Sequence, residues 1–242
     1  MTPMRPPLAI VPAHNEEASI GRVIAGLRGS APGVDILVVD DHSTDGTAAI
    51  VERLGVTQVR LACNLGYRNA IQIGCAWALA NGYQRVICFD GDGQHPASEV
   101  LPMLERLERG EGDIIVATRY AQEGAPGASL GRFLGNQFFS RVASRLTGQR
   151  ITDSTSGMKA LGPGVLPIVA KGDFLDLHAE ALVYLGLRGF RIAEHPAVFA
   201  ERAGGVSMYG RLALLRYPLL TGTLILCSIA RAWLEGDRGA GR

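Results

Sequence analysis

The stretch Val86-Ile87-Cys88-Phe89-Asp90-Gly91-Asp92 runs four apolar residues straight into two carboxylates. A short apolar run without polar alternation is the pattern of a strand buried on both faces. Gly91 lets the chain turn at the end of that strand without a side-chain clash. Gln94-His95-Pro96 follows, and Pro96–Arg109 reads as a helix. A buried strand that ends in charge and feeds a helix is the unit of a parallel α/β sheet.

Working outward, the same unit recurs. Upstream, Leu8–Ala13 is an apolar run, and Asn15-Glu16-Glu17 opens an amphipathic stretch to about Arg28, with acids where a helix dipole favours them. Ile36–Val39 is a second strand, closed by Asp40-Asp41. Ser43-Thr44-Asp45-Gly46 begins a helix to about Leu54, and Val56–Leu61 reads as a third strand. Asn69–Ala80 has helical spacing. Downstream, Asp113–Ala117 is a fifth strand. Strands alternating with helices of about a dozen residues predict a doubly wound, mostly parallel sheet. Such sheets bind ligands at the carboxyl ends of their strands. The polar clusters Pro12–Glu16, Asp40-Asp41, Asn64–Asn69 and Asp90–His95 all fall at that edge.

The second half is less regular. Glu123–Ser129 is a Gly/Ala/Pro loop and Leu130–Leu146 is helical, with Arg132, Arg141 and Arg145 along it. Asp153–Lys159 is polar and returns to an apolar stretch. Phe174–Leu187 reads as a helix. Phe190–Ala200 reads as a strand which Pro196 confines to an edge.

Composition bounds the function. A chain of 242 residues supports one sizeable core. A net charge of +1 gives no footprint for nucleic acid. Lys159 and Lys171 are the only lysines, and arginine, which makes forked contacts to phosphate, supplies the remaining basic charge. The cysteines at 63, 75, 88 and 227 form no C-x-x-C and read as free thiols of a reducing compartment. Met1–Pro7 lacks the apolar stretch of a signal peptide, so the expected location is cytoplasmic.

Asp90 and Asp92 present hard oxygens suited to Mg²⁺ or Mn²⁺, with substrate phosphate completing the shell. Thr44 and Asp45 read as caps for the next helix. The two carboxylates Asp40 and Asp41 precede that cap, and one of them is placed to accept hydrogen bonds from a ribose or a base. Arg119 follows the fifth strand at the same edge, and Arg132 begins a helix past the Gly-rich loop; each guanidinium can hold phosphate through two hydrogen bonds.

Taken in order, Val11-Pro12-Ala13-His14-Asn15-Glu16-Glu17, Val39-Asp40-Asp41-His42-Ser43-Thr44-Asp45-Gly46-Thr47, Asn64-Leu65-Gly66, Asp90-Gly91-Asp92-Gly93-Gln94-His95-Pro96 and Thr118-Arg119-Tyr120 resemble the family 2 glycosyltransferases of the GT-A fold. Asp153-Ser154-Thr155-Ser156-Gly157-Met158-Lys159 and Glu194-His195-Pro196, with Arg202 and Gly205-Val206-Ser207, resemble its polyprenol-phosphate (dolichol-phosphate-mannose synthase-like) branch. The resemblance runs from about residue 8 to 208. It implies an inverting sugar transfer from a nucleotide sugar to a polyprenyl phosphate. Pro12, His14, Glu16, Val39 and Asp41 would line the nucleoside pocket. Asp90, Gly91 and Asp92 would meet the sugar diphosphate through the metal, with Gln94 as a further ligand. Asp92, Arg119 and Arg132 would carry the chemistry, Arg119 and Arg132 at the acceptor phosphate or the diphosphate. Arg202 would sit near the donor phosphates. Two positions depart from the pattern: His14 stands where the family has tyrosine, and Met208 where the branch has lysine. Donor base and sugar therefore stay open between GDP-mannose and a UDP-sugar.

A phosphate acceptor is already an anion and needs no general base; a hydroxyl acceptor would need one, with Asp153 and Glu180 as candidates. A nucleotidyltransferase is the competing enzyme reading, but the acidic Pro12–Glu17 replaces the basic, Gly-rich loop expected there. A non-catalytic nucleotide-sugar-binding module is the reading from another class. Residues 1–208 form the catalytic domain in this account, and 209–242 an apolar helix and polar tail. The uncharged part, Tyr217–Ala230, falls short of the roughly 20 residues that span a bilayer. It is expected to lie on the membrane surface, or else to pack in the core or across a homodimer.

Overall fold

The computed structural model describes residues 5–120, 130–172, 177–200 and 213–236. The five anticipated strands form: β1 (Leu8–Ala13), β2 (Asp35–Asp40), β3 (Thr57–Arg60), β4 (Val86–Cys88) and β5 (Ile114–Thr118). Helices α1 (Ile20–Ser30), α2 (Thr47–Arg53), α3 (Tyr67–Ala80) and α4 (Val100–Glu108) connect them. The second half adds α5 (Leu130–Thr147), β6 (Lys159–Leu161), α6 (Leu166–Ala170), α7 (Ala179–Leu187), β7 (Ile192–Pro196) and α8 (Ala213–Gly236).

One seven-stranded sheet results, in the order β3-β2-β1-β4-β6-β5-β7. All of its pairs are parallel except those of β6, which runs antiparallel to both β4 and β5. β7 is an edge strand and ends on Pro196, as the missing N–H of proline requires. Neither β6 nor the short α6 is anticipated from the sequence. Three residues are too few to carry a period, and β6 pairs with strands far from it along the chain.

All six residues of β1 are buried, because helices cover both faces of the sheet. Its alternate side chains separate accordingly. Leu8 and Ile10 join the core beneath α3, α5, α6 and α7, while Ala9, Val11 and Ala13 join the core beneath α1 and α4. Gly74 of α3 leaves no room for a β-carbon against Ile10, so α3 lies close on β1.

The helix α1 starts at Ile20, not at Asn15. Asn15 has a φ of +56°, and the Asn15–Glu17 turn is tied to the β2–α2 loop. Asn15 N donates to Ser43 Oγ, Glu16 N to Thr47 Oγ1, and Gly46 N to Glu17 Oε2. Acids expected to favour a helix dipole instead join two loops at the carboxyl edge. The cap position of α2 is held by Gly46, not by Thr44 or Asp45. Asp45, one residue earlier, accepts from Thr47 N at 2.9 Å, and Thr44 N donates to Asn15 Oδ1.

At the far end, α7 packs between α5 and α8. α8 buries Thr221, Leu224, Ile225, Ser228 and Ala232 and exposes Leu220, Leu226, Trp233 and Leu234. Among the described residues no helix is long and apolar enough to cross a membrane.

Candidate active site

The carboxyl ends of β1, β2, β3 and β4 bring the four polar clusters together, and the turn before β6 joins them because β6 runs the other way. Three parts make up the edge.

The first is a corner built on Asp41. Its Oδ1 accepts from Leu65 N and its Oδ2 from Gly66 N, each at 2.7 Å, so one carboxylate holds the β3–α3 turn. Asp41 is only 3% exposed. His14 Nδ1 lies 2.8 Å from Asp41 O. A carbonyl can only accept, so Nδ1 carries the proton and Nε2 accepts from Asn64 Nδ2 at 3.1 Å. The His14 ring is exposed on this corner. Pro12 and Val39 pair in register in the adjacent strands and are buried there. Asp40, fully buried, accepts from Ser43 N at 2.9 Å and meets Arg60 Nε at 3.2 Å, which makes it a structural acid of the loop.

The second part is the carboxylate loop after β4. Asp90 and Asp92 are both half-buried. Tyr67 OH donates to Asp90 Oδ1 at 2.8 Å, and His95 Nε2 lies 3.3 Å from Oδ2. Asp90 N donates to His95 Nδ1 at 3.0 Å, which places the imidazole proton on Nε2, facing the carboxylate. Burial pushes the His95 pKa below the ordinary histidine value and outweighs the pull of Asp90 and Asp92, so the ring is neutral. Asp92 Oδ1 accepts from Gln94 N at 3.0 Å. Gln94 Nε2 donates to Ala200 O, joining this loop to the segment after β7. Ser19 Oγ lies 2.7 Å from Glu16 Oε2 and 2.8 Å from Gly91 O, linking the loop to the start of α1. Two glycines make the geometry attainable. A β-carbon at Gly91 would lie 2.9 Å from Pro12 O, and one at Gly157 would lie 2.6 Å from Asp90 Oδ2.

The third part is a cationic wall. Arg119 Nε lies 3.3 Å from Asp153 Oδ2, and its guanidinium stacks 4.8 Å over the Phe199 ring. Phe199 also meets His95 edge-on at 5.3 Å, so the wall and the carboxylate loop share a packed aromatic contact. Asp153 has no exposed surface, and its Oδ1 caps the following turn through Thr155 N and Thr155 Oγ1. Glu194 in turn accepts from Thr152 N, Thr152 Oγ1 and Asp153 N. Lys159 is buried and donates to Ser156 O. Arg132 lies in the first turn of α5, with its side chain outside the described residues; Arg202 and Met208 lie outside them altogether. Glu180 is buried within α7.

Among the described residues no three His, Cys, Asp or Glu side chains gather to hold a cation by themselves. Two carboxylates with hard oxygens do suit a divalent ion shared with a diphosphate, which supplies the missing oxygens. Tyr67 and Phe199 stand in no motif that the sequence singled out, and Gly157 and Glu194 stand in quoted motifs without a role of their own; the fold brings all four to these partners.

Residues 8–161 match the family described as "Glycosyl transferase family 2". The chain belongs to that family. As a family 2 glycosyltransferase it is 30% identical over 220 residues to the polyprenol monophosphomannose synthase of Mycolicibacterium smegmatis, covering 85% of this chain and 81% of that one. It is 30% identical to the dolichyl-phosphate hexose transferase of Haloferax volcanii, covering 93% of both. With the undecaprenyl-phosphate mannosyltransferase of Micrococcus luteus it shares 28% identity, covering 83% of this chain and 86% of that one. Among solved structures, the glucosyl-3-phosphoglycerate synthase of Mycobacterium tuberculosis, crystallised with Mn²⁺, UDP-glucose and glycerol 3-phosphate, superposes with a TM-score of 0.67. It covers 93% of this chain and 80% of that one at 21% identity, which shows a common GT-A-like fold.

Proposed function

We propose that this glycosyltransferase moves a hexose from a nucleotide sugar to a polyprenyl phosphate, with inversion at the sugar carbon. One observation carries the reading: the half-buried pair Asp90 and Asp92 shares a sheet edge with Arg119, so that hard carboxylate oxygens suited to a divalent ion and a guanidinium suited to phosphate lie on the same rim. Asp90, Asp92 and Gln94 would hold Mg²⁺ or Mn²⁺, which when bound supplies positive charge against the negative charge developing on the leaving diphosphate. The corner of His14, Glu16 and Asp41 would orient the nucleoside. Arg119, and Arg132 and Arg202 from their segments, would steady phosphate by forked hydrogen bonds.

The acids expected to serve a hydroxyl acceptor are otherwise engaged. Asp153 is fully buried and paired with Arg119, and Glu180 is buried in α7. This favours an acceptor that arrives as an anion, and it agrees with relatives named for polyprenol, dolichyl and undecaprenyl phosphates. The base and sugar are left between GDP-mannose and a UDP-sugar.

Residues 209–242 would serve as the membrane-surface element of a peripheral enzyme at the cytoplasmic face. Leu226, Trp233 and Leu234 of α8 support this, since they face outward while the opposite side of the helix is packed. α5 likewise exposes Leu134 and Phe138. The test is sugar transfer to polyprenyl phosphate from a panel of GDP- and UDP-sugars, with Mn²⁺ or Mg²⁺, with chelator, and in Asp92→Ala. Transfer is expected from one donor, lost with chelator and in the variant. Transfer that survives both, or that needs no polyprenyl phosphate, would overturn the reading.

A further inference from the structure

Tyr67 stands where three observations meet. It is the first residue of α3, its hydroxyl donates to Asp90 Oδ1 at 2.8 Å, and it follows directly on the two residues whose N–H groups Asp41 clamps. Asp41 in turn offers its carbonyl to His14, and Asn64, at the start of the same turn, donates to the other nitrogen of that ring. The turn 64–67 therefore spans from the exposed imidazole to a carboxylate oxygen. Gly66 makes it with a φ of +87°. Gly74 brings α3 close onto Ile10 of β1.

We infer that Tyr67 is a positioning residue that fixes Asp90 for a divalent cation and couples that cation to the nucleoside corner. The inference rests on the metal reading proposed above. The physical basis is simple. A carboxylate oxygen has two acceptor directions, and the phenol fills one on Oδ1 while leaving the other for a cation. With His95 beside Oδ2, the Asp90 carboxylate is held before any ion arrives, so binding orders less. A nucleoside seated against His14 stiffens the turn 64–67 and with it the tyrosine. The plain alternative is that Tyr67 merely packs against the α3 side of the core, where its ring does lie.

Tyr67→Phe separates the two, since it keeps the ring and removes the donor. Free Mn²⁺ is counted by electron paramagnetic resonance with saturating UDP and, separately, saturating GDP, for the wild type and the variant. Thermal melts without metal accompany both. Removing the hydrogen bond to a ligating carboxylate should weaken Mn²⁺ binding about tenfold or more, with the metal-free melt little changed. The coupling is read separately: the factor by which diphosphate tightens Mn²⁺, and by linkage the equal factor by which Mn²⁺ tightens diphosphate, should both be smaller in the variant than in the wild type. A variant whose Mn²⁺ affinity stays within about twofold of a binding wild type would overturn the role of Tyr67 and leave the metal reading standing. A wild type that takes up no Mn²⁺ with either diphosphate would overturn both.

Discussion

Gly157→Ala tests whether the late turn before β6 belongs to the site. A methyl at that position would lie 2.6 Å from Asp90 Oδ2, 3.0 Å from Asp90 Oδ1 and 3.0 Å from Tyr67 OH. The first distance is well inside van der Waals contact, and neither partner can retreat easily. Asp90 is held between Tyr67 and His95, and His95 is wedged edge-on between Phe89 and Phe199. The backbone of Gly157 is outside the left-handed region, so alanine tests packing and not strain. Overpacking of this kind costs about 1–3 kcal/mol. In a chain of this size each kcal/mol lowers the melting temperature by roughly 2–4 °C. The larger effect should be on rate, because displacing a reacting group's support by about 1 Å can cost roughly 100-fold. The assay is transfer rate against Mn²⁺ concentration, beside a thermal melt. Gly29→Ala is the control: no atom lies within 4 Å of its added methyl. A Gly157→Ala enzyme with wild-type rate and Mn²⁺ dependence would refute the packing of this turn against Asp90.

Two further outcomes follow from α8. Leu226 and Trp233 are 67% and 77% exposed, so replacing both with glutamine should leave the fold intact and reduce flotation with anionic phospholipid vesicles severalfold; equal flotation of variant and wild type would remove the membrane role of this helix. Glu235 at its end accepts from Tyr184 OH, lies beside Arg231 and Arg188, and is held below the ordinary glutamate range first by Tyr184 and then by Arg231. A depressed carboxyl stabilises the fold above its unfolded pKa and loses that stabilisation as pH falls. The stability difference between wild type and Glu235→Gln in urea should therefore be positive near neutral pH and shrink below about pH 4. A difference that stays constant down to acid pH would contradict the docking role.

The first half of the fold was legible because each strand announces itself locally. Leu8–Ala13 and Val86–Phe89 are apolar runs that end in charge, and that pattern also located the carboxyl edge. Of the later elements, α5, α7 and β7 fall on the stretches that read as helix, helix and edge strand; β6 and α6 were not legible, since β6 is three residues whose strand character comes only from its neighbours. The start of α1 was misread for a related reason. Asn15–Glu17 has the composition of a helix start, but its hydrogen bonds go to Ser43, Gly46 and Thr47, some thirty residues on. That Asp90, Asp92 and Arg119 share one sheet edge was legible from residue type and position. The partners that aim them were not, because tyrosine 67 and glycine 157 have no local signature for contact with residue 90.

The reversed strand β6 carries a consequence for how the chain matures. β4, which delivers Asp90, and β5, which delivers Arg119, never touch as neighbours; each is bonded to Lys159–Leu161 between them. Until Lys159–Leu161 is in place, the facing edges of β4 and β5 are both raw strand edges, the kind of surface on which wrong partners assemble. The same three residues zip both edges and draw the carboxylates and the guanidinium to opposite sides of one seam. The pairing that shields these edges is thus the same pairing that sets the carboxylate loop and Arg119 on one rim.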